Sequence, residues 1–139
     1  MIVVDTNVIS ETVRIGPDSV VVGWLADPPD DLAISSITIG ELLTGVALLP
    51  DGARKRGLAD AIETVLLRMP VRLSYGEQAA RAYADMRSLA RRAGRGLSVE
   101  DGMIAAICAA RGAALATRNT IDFEFLPIDV VNPWESGVH

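Results

Sequence analysis

Short apolar runs alternate with longer segments of helical period along the whole chain. The runs are Ile2-Val3-Val4, Leu32-Ala33-Ile34, Val71-Arg72-Leu73, Ala114-Leu115-Ala116 and Ile128-Asp129-Val130-Val131. Continuous apolar runs of this length are typical of strands that are buried on both faces. Strands that alternate with helices imply βαβ crossovers and a mainly parallel sheet covered on both sides. The pattern therefore predicts an α/β fold, a three-layer α/β/α sandwich around a sheet of about five strands.

The segments between the runs have the apolar spacing and end signals of helices. Helices are expected after Pro17-Asp18-Ser19, over the stripe Ile37, Ile39, Leu42, Leu43 and Val46, from about Ala53 to Met69, over the stripe Ala79, Ala82, Tyr83, Met86 and Leu89, and from Ser98. Ser74 and Glu77 have the spacing of a capping box, and Gly94 and Gly112 are natural helix stops. Since the chain has no repeat and no Gly/Ser linker, we expect one domain over residues 1–139.

Composition excludes several kinds of catalytic site. Half of the residues are apolar and 22% are charged, which is typical of a globular chain. The one cysteine, Cys108, cannot form an internal disulfide or a Cys-based zinc site and fits a reducing cytoplasm. The one histidine, His139, is the last residue, so histidine triads and HExxH zinc sites lack support. Catalysis must therefore rest on carboxylates, hydroxyls, arginines or a metal.

Targeting signals and bulk charge also limit the possibilities. No apolar run approaches the ~20 residues of a membrane span. The N-terminus lacks the basic region of a signal peptide, and Asp5 interrupts its first apolar stretch. We therefore expect a cytoplasmic protein with no membrane association. The net charge of −5 disfavours attraction of the whole protein to nucleic acid.

Four acids stand at positions where a carboxylate is costly. Asp5 directly follows the first strand, and Glu41 lies in the first turns of the helix after the second strand. Asp101 leads the apolar stripe of its helix, and Asp122 follows the fourth strand by six residues. Ligands of open α/β sheets bind outside the carboxyl ends of the strands. Three of these acids can reach that edge directly, and Asp101 can join them from the start of its helix.

Taken singly, the acids have structural alternatives, but together they indicate a metal site. Asp5 can be a helix cap, Ser98 and Asp101 can form a local cap, and Asp122 can be a surface residue. A purely structural role is harder to assign to Glu41, because a Glu side chain is rarely buried without a partner. At roughly 4 Å, one like-charge pair costs about 4 kcal/mol at an effective dielectric of about 20. A divalent cation is the simplest neutraliser, and oxygen ligands select Mg²⁺ or Mn²⁺, which favours metal-dependent hydrolysis of a phosphate ester.

Four segments resemble the acidic motifs of PIN-domain ribonucleases. They are Asp5-Thr6-Asn7-Val8-Ile9-Ser10-Glu11, Ile34-Ser35-Ser36-Ile37-Thr38-Ile39-Gly40-Glu41-Leu42, Asp101-Gly102-Met103-Ile104-Ala105-Ala106 and Ala116-Thr117-Arg118-Asn119-x-x-Asp122-Phe123. Their order and spacing and the total length are similar to those of VapC-type toxins of bacterial toxin–antitoxin pairs, nearest the FitB-like branch. The resemblance covers essentially the whole chain.

The resemblance implies a PIN-like fold, an endoribonuclease activity and several partners. Such proteins are typically homodimers that act on RNA and are inhibited by a cognate VapB-like antitoxin. The acidic pocket for one or two Mg²⁺ or Mn²⁺ ions would consist of Asp5, Glu41, Asp101 and Asp122. Within it, Asp101 and Glu41 would help to place the attacking water.

Neighbouring residues have supporting roles in this interpretation. Thr6, Asn7 and Thr117 would support the site, with backbone capping as the structural alternative. Asn119 is a neutral oxygen donor that could replace Asp122 as a ligand, and Arg118 is the candidate phosphate contact. Trp134 is expected to be a packing or interface residue. The helix-end cluster Arg87, Arg91, Arg92 and Arg95 is expected to be a solvated face that complements the helix dipole, with an RNA-guiding rim as the alternative.

Competing functions receive less support. An aspartyl-phosphate phosphatase is disfavoured because Asp5-Thr6-Asn7 lacks a second Asp and no lysine stands near a later strand end. A non-catalytic PIN-like binding module is the remaining alternative, but such modules usually lose an acid, whereas all four are present here. Without these four acids the charge balance is 13 − 14 = −1. Bulk charge therefore does not exclude RNA cleavage at a metal-filled pocket.

Overall fold

Five short parallel strands form one sheet at the centre of the molecule. The structure is a computed structural model and describes residues 1–135. The strands are Ile2–Val4 (β1), Leu32–Ser35 (β2), Arg72–Leu73 (β3), Ala114–Ala116 (β4) and Val130–Val131 (β5), in the order β3-β2-β1-β4-β5. All of the strand pairs are parallel, as the alternating pattern predicted. His139 lies outside the described residues.

Strand β1 is the central strand. Val3 pairs with Ala33 on one side and with Leu115 on the other, and all three side chains are fully buried. Because parallel strands buried on both faces have no polar side to expose, their sequences are continuous apolar runs. The third and fifth strands are shorter than the apolar runs that predicted them.

Seven helices and one short 3₁₀ helix are present within residues 1–135. The helices are Thr6–Val13 (α1), Ser19–Ala26 (α2), Ser36–Ala47 (α3), Ala53–Leu67 (α4), Glu77–Arg92 (α5), Val99–Arg111 (α6) and Thr120–Phe123 (α7), and the 3₁₀ helix is Pro133–Glu135. None of these helices is long and apolar enough to cross a membrane.

The helices cover both faces of the sheet, which confirms the three-layer prediction. On one face, Val3 belongs to a core with residues of α5, α6 and α7, including Met86, Ile104 and Phe123. On the other face, Val4 belongs to a core with residues of α1 to α4. Cys108 is fully buried in the first core, where it acts as a small apolar side chain.

Most of the predicted helix ends are confirmed. Gly94 and Gly112 have φ values of 64° and 61°, a left-handed conformation that glycine adopts at low cost after a helix. Ser98 Oγ accepts a hydrogen bond from the backbone amide of Asp101 at 3.1 Å, so the local capping arrangement is present.

The expected capping box of Ser74 and Glu77 is wrong. Gly76 precedes the first helical residue of α5 and makes no side-chain capping bond. Because the helix begins at Glu77, this glutamate is too early to reach back to the chain before it. Its Oε2 instead lies 2.9 Å from Nη2 of Arg81, one turn along the exposed helix surface.

Candidate active site

An open cleft of about 590 Å³ lies at the carboxyl ends of the central strands. Seven of the nine predicted site residues line it: Asp5, Thr6, Asn7, Glu41, Asp101, Arg118 and Asn119. Thr117 is fully buried beneath the cleft, and Asp122 lies outside its lining. The shared sheet edge therefore brings together residues from the four segments that suggested a site.

Asp5 is held by three hydrogen bonds where β1 ends. Its Oδ1 accepts a bond from the backbone amide of Thr6 at 2.8 Å, so Asp5 caps helix α1. Its Oδ2 accepts bonds from Thr117 Oγ1 at 2.8 Å and from Asn7 Nδ2 at 3.2 Å. Burial raises the pKa of Asp5, and the bonds from Thr117 and Thr6 oppose that rise. Asp5 is therefore both the cap of helix α1 and a member of the acidic cluster.

Asn7 and Thr117 connect β1 to the segment after β4. Asn7 Nδ2 also donates to Thr117 Oγ1 at 3.2 Å, and Asn7 Oδ1 accepts from the backbone amide of Arg118 at 3.3 Å. Thr117 Oγ1 accepts a further bond from the amide of Asn119 at 3.1 Å. These contacts fix the backbone of residues 117–119 relative to Asp5.

Glu41 is exposed at the rim of the cleft, so the expectation that it is buried is wrong. Helix α3 turns this side chain toward the open cleft, while Leu42 faces the core. Thr6 Oγ1 donates a hydrogen bond to Glu41 Oε1 at 2.8 Å, and Thr38 Oγ1 lies 3.1 Å from the Thr6 hydroxyl. Glu41 is thus oriented by a hydroxyl from the first motif rather than by burial.

Asp101 is half-buried in the first turn of α6, and both its burial and the negative charges of the other three acids raise its pKa. Its pKa is raised to about 6, first by burial and then by the negative charge of Asp5, with smaller effects from Asp122 and Glu41. The hydrogen bond with Ser98 acts in the opposite direction. The four carboxylates are therefore close enough to interact electrostatically, although they come from four separate segments.

Asp122 is the most peripheral of the four acids. It is exposed in the first turn of the short helix α7, where its amide donates to Asn119 O at 3.1 Å. Asn119 itself lines the cleft. Asn119 is therefore the oxygen donor in the lining of the cleft, whereas Asp122 acts on Asp101 through its charge.

Four residues that sequence reasoning did not assign to the site also line the cleft: Ser10, Glu11, Arg14 and Trp134. Glu11, only 6% exposed, accepts hydrogen bonds from Arg14 Nη1 at 3.2 Å and from the amide of Asp18 at 3.0 Å. Its spacing of one helical turn from Asn7 is a signal that could have placed it there. Trp134 lies under the guanidinium of Arg118, with the Arg118 Cζ 5.1 Å from the ring centroid. Nothing local in the sequence predicts that contact.

Comparison with known proteins identifies the family. The PIN domain family matches residues 2–126. The chain belongs to the PIN-domain family. It is 41% identical to VapC ribonuclease Y4jK of Sinorhizobium fredii over 97% of this chain and 99% of that protein. It is 39% identical to Toxin FitB of Neisseria gonorrhoeae over 96% and 99% of the two chains. The solved structure of FitAcB from Neisseria gonorrhoeae has a TM-score of 0.88 and 39% identity, over 97% of this chain and 99% of that one.

The acidic cleft of this PIN domain suits a hard divalent cation. Within residues 1–135, no Lys or Arg forms an ion pair with Asp5, Glu41, Asp101 or Asp122, so their charges lack a protein counter-charge. In the same residues, no three acidic side chains are grouped tightly enough to hold one ion directly. Mg²⁺ commonly binds one or two carboxylates and keeps several waters, so this looser set of oxygen donors still fits it. PIN-domain ribonucleases in general depend on divalent metals.

Proposed function

We propose that the chain is a single PIN domain over residues 1–139 that acts as a Mg²⁺- or Mn²⁺-dependent endoribonuclease toxin. The observation that carries the proposal is the convergence on one edge of the sheet of four carboxylates, none of which forms an ion pair with a basic side chain within residues 1–135. The relatives named VapC ribonuclease and Toxin FitB support both the activity and the toxin assignment.

Four carboxylates would hold one or two metal ions, some of them through bound water rather than directly: Asp5, Glu41, Asp101 and Asp122. A divalent cation supplies charge compensation for the phosphate and lowers the pKa of water. The hydrogen bonds from Thr117, Asn7 and Thr6 hold Asp5 in one orientation, which reduces the reorganisation needed for binding. Asp101 and Glu41 would accept hydrogen bonds from the attacking water and so direct it toward the phosphorus atom.

Arg118 would bind a phosphate of the RNA backbone beside the carboxylates. Its side chain is exposed and forms no ion pair within the described residues. Its backbone is fixed by Asn7, and the Trp134 ring supports the plane of its guanidinium. A planar guanidinium with free donors suits bidentate contact with phosphate oxygens. Arg14, in contrast, is already paired with Glu11.

The proposed activity implies particular partners and a location. The relative named Toxin FitB supports a toxin assignment, and a ribonuclease toxin requires an inhibitor in the cell that makes it, so we expect a cognate VapB-like antitoxin. We also expect a homodimer, with exposed apolar side chains such as Val22 and Leu67 as candidates for its interface. The protein would act in the cytoplasm, where its RNA substrate is found.

RNA cleavage by the purified protein tests the proposal. Total bacterial RNA incubated with the protein and Mg²⁺ should be cut into discrete fragments, and a chelator should stop the reaction. The Asp101→Asn variant, purified in parallel, should be inactive while keeping its fold by circular dichroism. Binding of RNA without any cleavage by the wild-type protein would instead favour the non-catalytic PIN-like module.

A further inference from the structure

Arg95 joins two segments of the chain that carry proposed metal ligands. It stands in the loop between α5 and α6, four residues before the first residue of the helix that carries Asp101. Its Nη2 donates a hydrogen bond to the backbone carbonyl of Ile121 at 2.7 Å, in the first turn of α7 next to Asp122. A guanidinium contact to a backbone carbonyl of a different segment is a specific tertiary link rather than a solvated surface charge.

Two further contacts fix the direction of the Arg95 side chain. Its Nη1 lies 3.9 Å from Glu124 Oε1, just after α7, and its Cζ lies 5.0 Å from the ring centroid of Phe125. The guanidinium thus contacts Ile121, Glu124 and Phe125 at once. A charge-assisted hydrogen bond, an ion pair and a cation–π contact together restrict the motion of the segment more than any one of them would.

The backbone of Arg95 is itself held in place. The amide of Arg95 donates to Ala90 O at 2.9 Å, and the amide of Gly94 donates to Arg91 O at 3.2 Å. This is the Schellman arrangement, in which Gly94 adopts its left-handed conformation. The side chain therefore extends from a rigid helix end.

Helix α7 needs such a support, because four residues cannot hold a helix by themselves. Phe123 is 1% exposed and anchors the segment to the core from below. Arg95 contacts its outer side through the Ile121 carbonyl. The two anchored residues, Ile121 and Phe123, flank Asp122 in the sequence, and within residues 1–135 the exposed Asp122 side chain forms no hydrogen bond or ion pair that would hold it.

We infer that Arg95 is a positioning residue that holds the Asp122 carboxylate at the edge of the acidic cleft. The inference rests on the proposed function in so far as Asp122 is one of the metal ligands. It changes the interpretation of the arginine cluster at the end of α5. Arg91 and Arg92 are in the last helical turn, as the dipole argument expects, whereas Arg95 belongs to the architecture of the site.

Backbone exchange tests the structural part of the inference in metal-free protein. In Arg95→Gln, the amides of Asp122 and Leu126 should exchange with deuterium about tenfold faster than in the wild type, because a charged hydrogen bond is lost. Arg95→Lys can still donate to Ile121 O and should restore part of the protection. Arg81→Gln removes another arginine–glutamate ion pair, on the surface of α5, and serves as the control; Arg81 is 78% exposed, against 35% for Arg95. Unchanged exchange in a folded Arg95→Gln protein would overturn the inference.

Mn²⁺ binding, measured by calorimetry, tests the link to the site. The Kd for Mn²⁺ should rise about tenfold in Arg95→Gln, the usual size of an effect from a residue behind a ligand. In an Asp122→Asn background, the same substitution should have no further effect, since Arg95 acts through Asp122. An equal loss in both backgrounds would contradict the inference. If the wild type binds no Mn²⁺ and cuts no RNA, the proposed function fails, and the exchange data still decide whether Arg95 holds α7.

Discussion

Thr117 Oγ1 donates a 2.8 Å hydrogen bond to Asp5 Oδ2, across the carboxyl ends of the adjacent strands β4 and β1. Both residues are almost fully buried, and the same hydroxyl accepts bonds from Asn7 and Asn119. One hydroxyl therefore satisfies a buried carboxylate and two donors. Its removal should affect stability and the site together.

The Thr117→Val variant should be less stable than the wild type by about 1–3 kcal/mol, because it leaves a buried carboxylate and two donors without their partner. Chemical denaturation at neutral pH measures this loss. Thr117→Ser keeps the hydroxyl and loses only a methyl group, so it should retain more of the stability. Equal stability of the Val and Ser variants would show that the hydroxyl is energetically unimportant.

The metal-free protein should become more stable as the pH falls through about 6. Asp101 has a pKa of about 6 in the folded state against 3.8 for the free side chain. Between these values the folded state binds a proton that the unfolded state does not bind, so acidification favours folding. We expect a gain of about 1–2 kcal/mol between pH 7 and pH 4, reduced from the full shift because Asp101 is partly solvated.

Thermal unfolding in the presence of a chelator measures this pH effect. Asp101→Asn cannot titrate, so it should lose most of the pH dependence and should exceed the wild type in stability at pH 7. A wild-type protein whose stability falls steadily from pH 7 to pH 4 would contradict the expected sign.

Gly102→Ala should destabilise the fold by about 1–3 kcal/mol through overpacking. A Cβ at this position of α6 would lie 2.8 Å from Cε2 of the Tyr83 ring and 3.4 Å from Cδ2 of Leu97. Gly23→Ala is the matched control, since Gly23 is exposed within α2 and a Cβ there meets nothing within 4 Å. The control should stabilise the protein by about 0.5–1 kcal/mol. A Gly102→Ala protein with a Tm above that of the wild type would exclude the close packing of α5 on α6.

Arg118→Gln should weaken RNA binding and flatten its dependence on salt. Loss of one phosphate contact should reduce the slope of log K against log salt by about 0.7 for single-stranded RNA. Fluorescence anisotropy with a fluorescein-labelled single-stranded RNA measures the slope, in the Asp101→Asn background to prevent cleavage. Arg81→Gln changes an arginine that does not line the cleft and should leave the slope unchanged. If both substitutions reduce it equally, Arg118 makes no specific phosphate contact.

Local sequence patterns were sufficient for most of the fold. The central strand follows from Ile2-Val3-Val4, because only a strand covered on both faces can be apolar throughout. Gly94 and Gly112 mark helix ends through backbone conformations that depend on one residue alone. The parallel sheet then placed Asp5 and Glu41 at one edge, so the grouping of the carboxylates was predictable before any distance was known.

The features that were predicted wrongly or not predicted at all depend on tertiary contacts. Glu41 was expected to be buried, but the direction in which α3 faces the cleft is set by packing of α3 on its neighbours. Arg95 belongs in sequence to the same arginine cluster as Arg91 and Arg92, and its contact with α7 sets it apart from them. Trp134 contacts Arg118 from a distant part of the chain. Such contacts have no signature in sequence spacing.

Strand β1 is the first strand along the chain but lies at the centre of the sheet. Asp5 therefore meets its Thr117 partner, 112 residues later, only when most of the chain has left the ribosome. At a synthesis rate of about 5–20 residues per second, an unfinished chain spends several seconds without an assembled carboxylate cluster. A message that is translated only in part, or a fragment that ends before Thr117, thus lacks the Asp5–Thr117 bond and the proposed ligand Asp122, so the proposed metal site would form only after synthesis is almost complete.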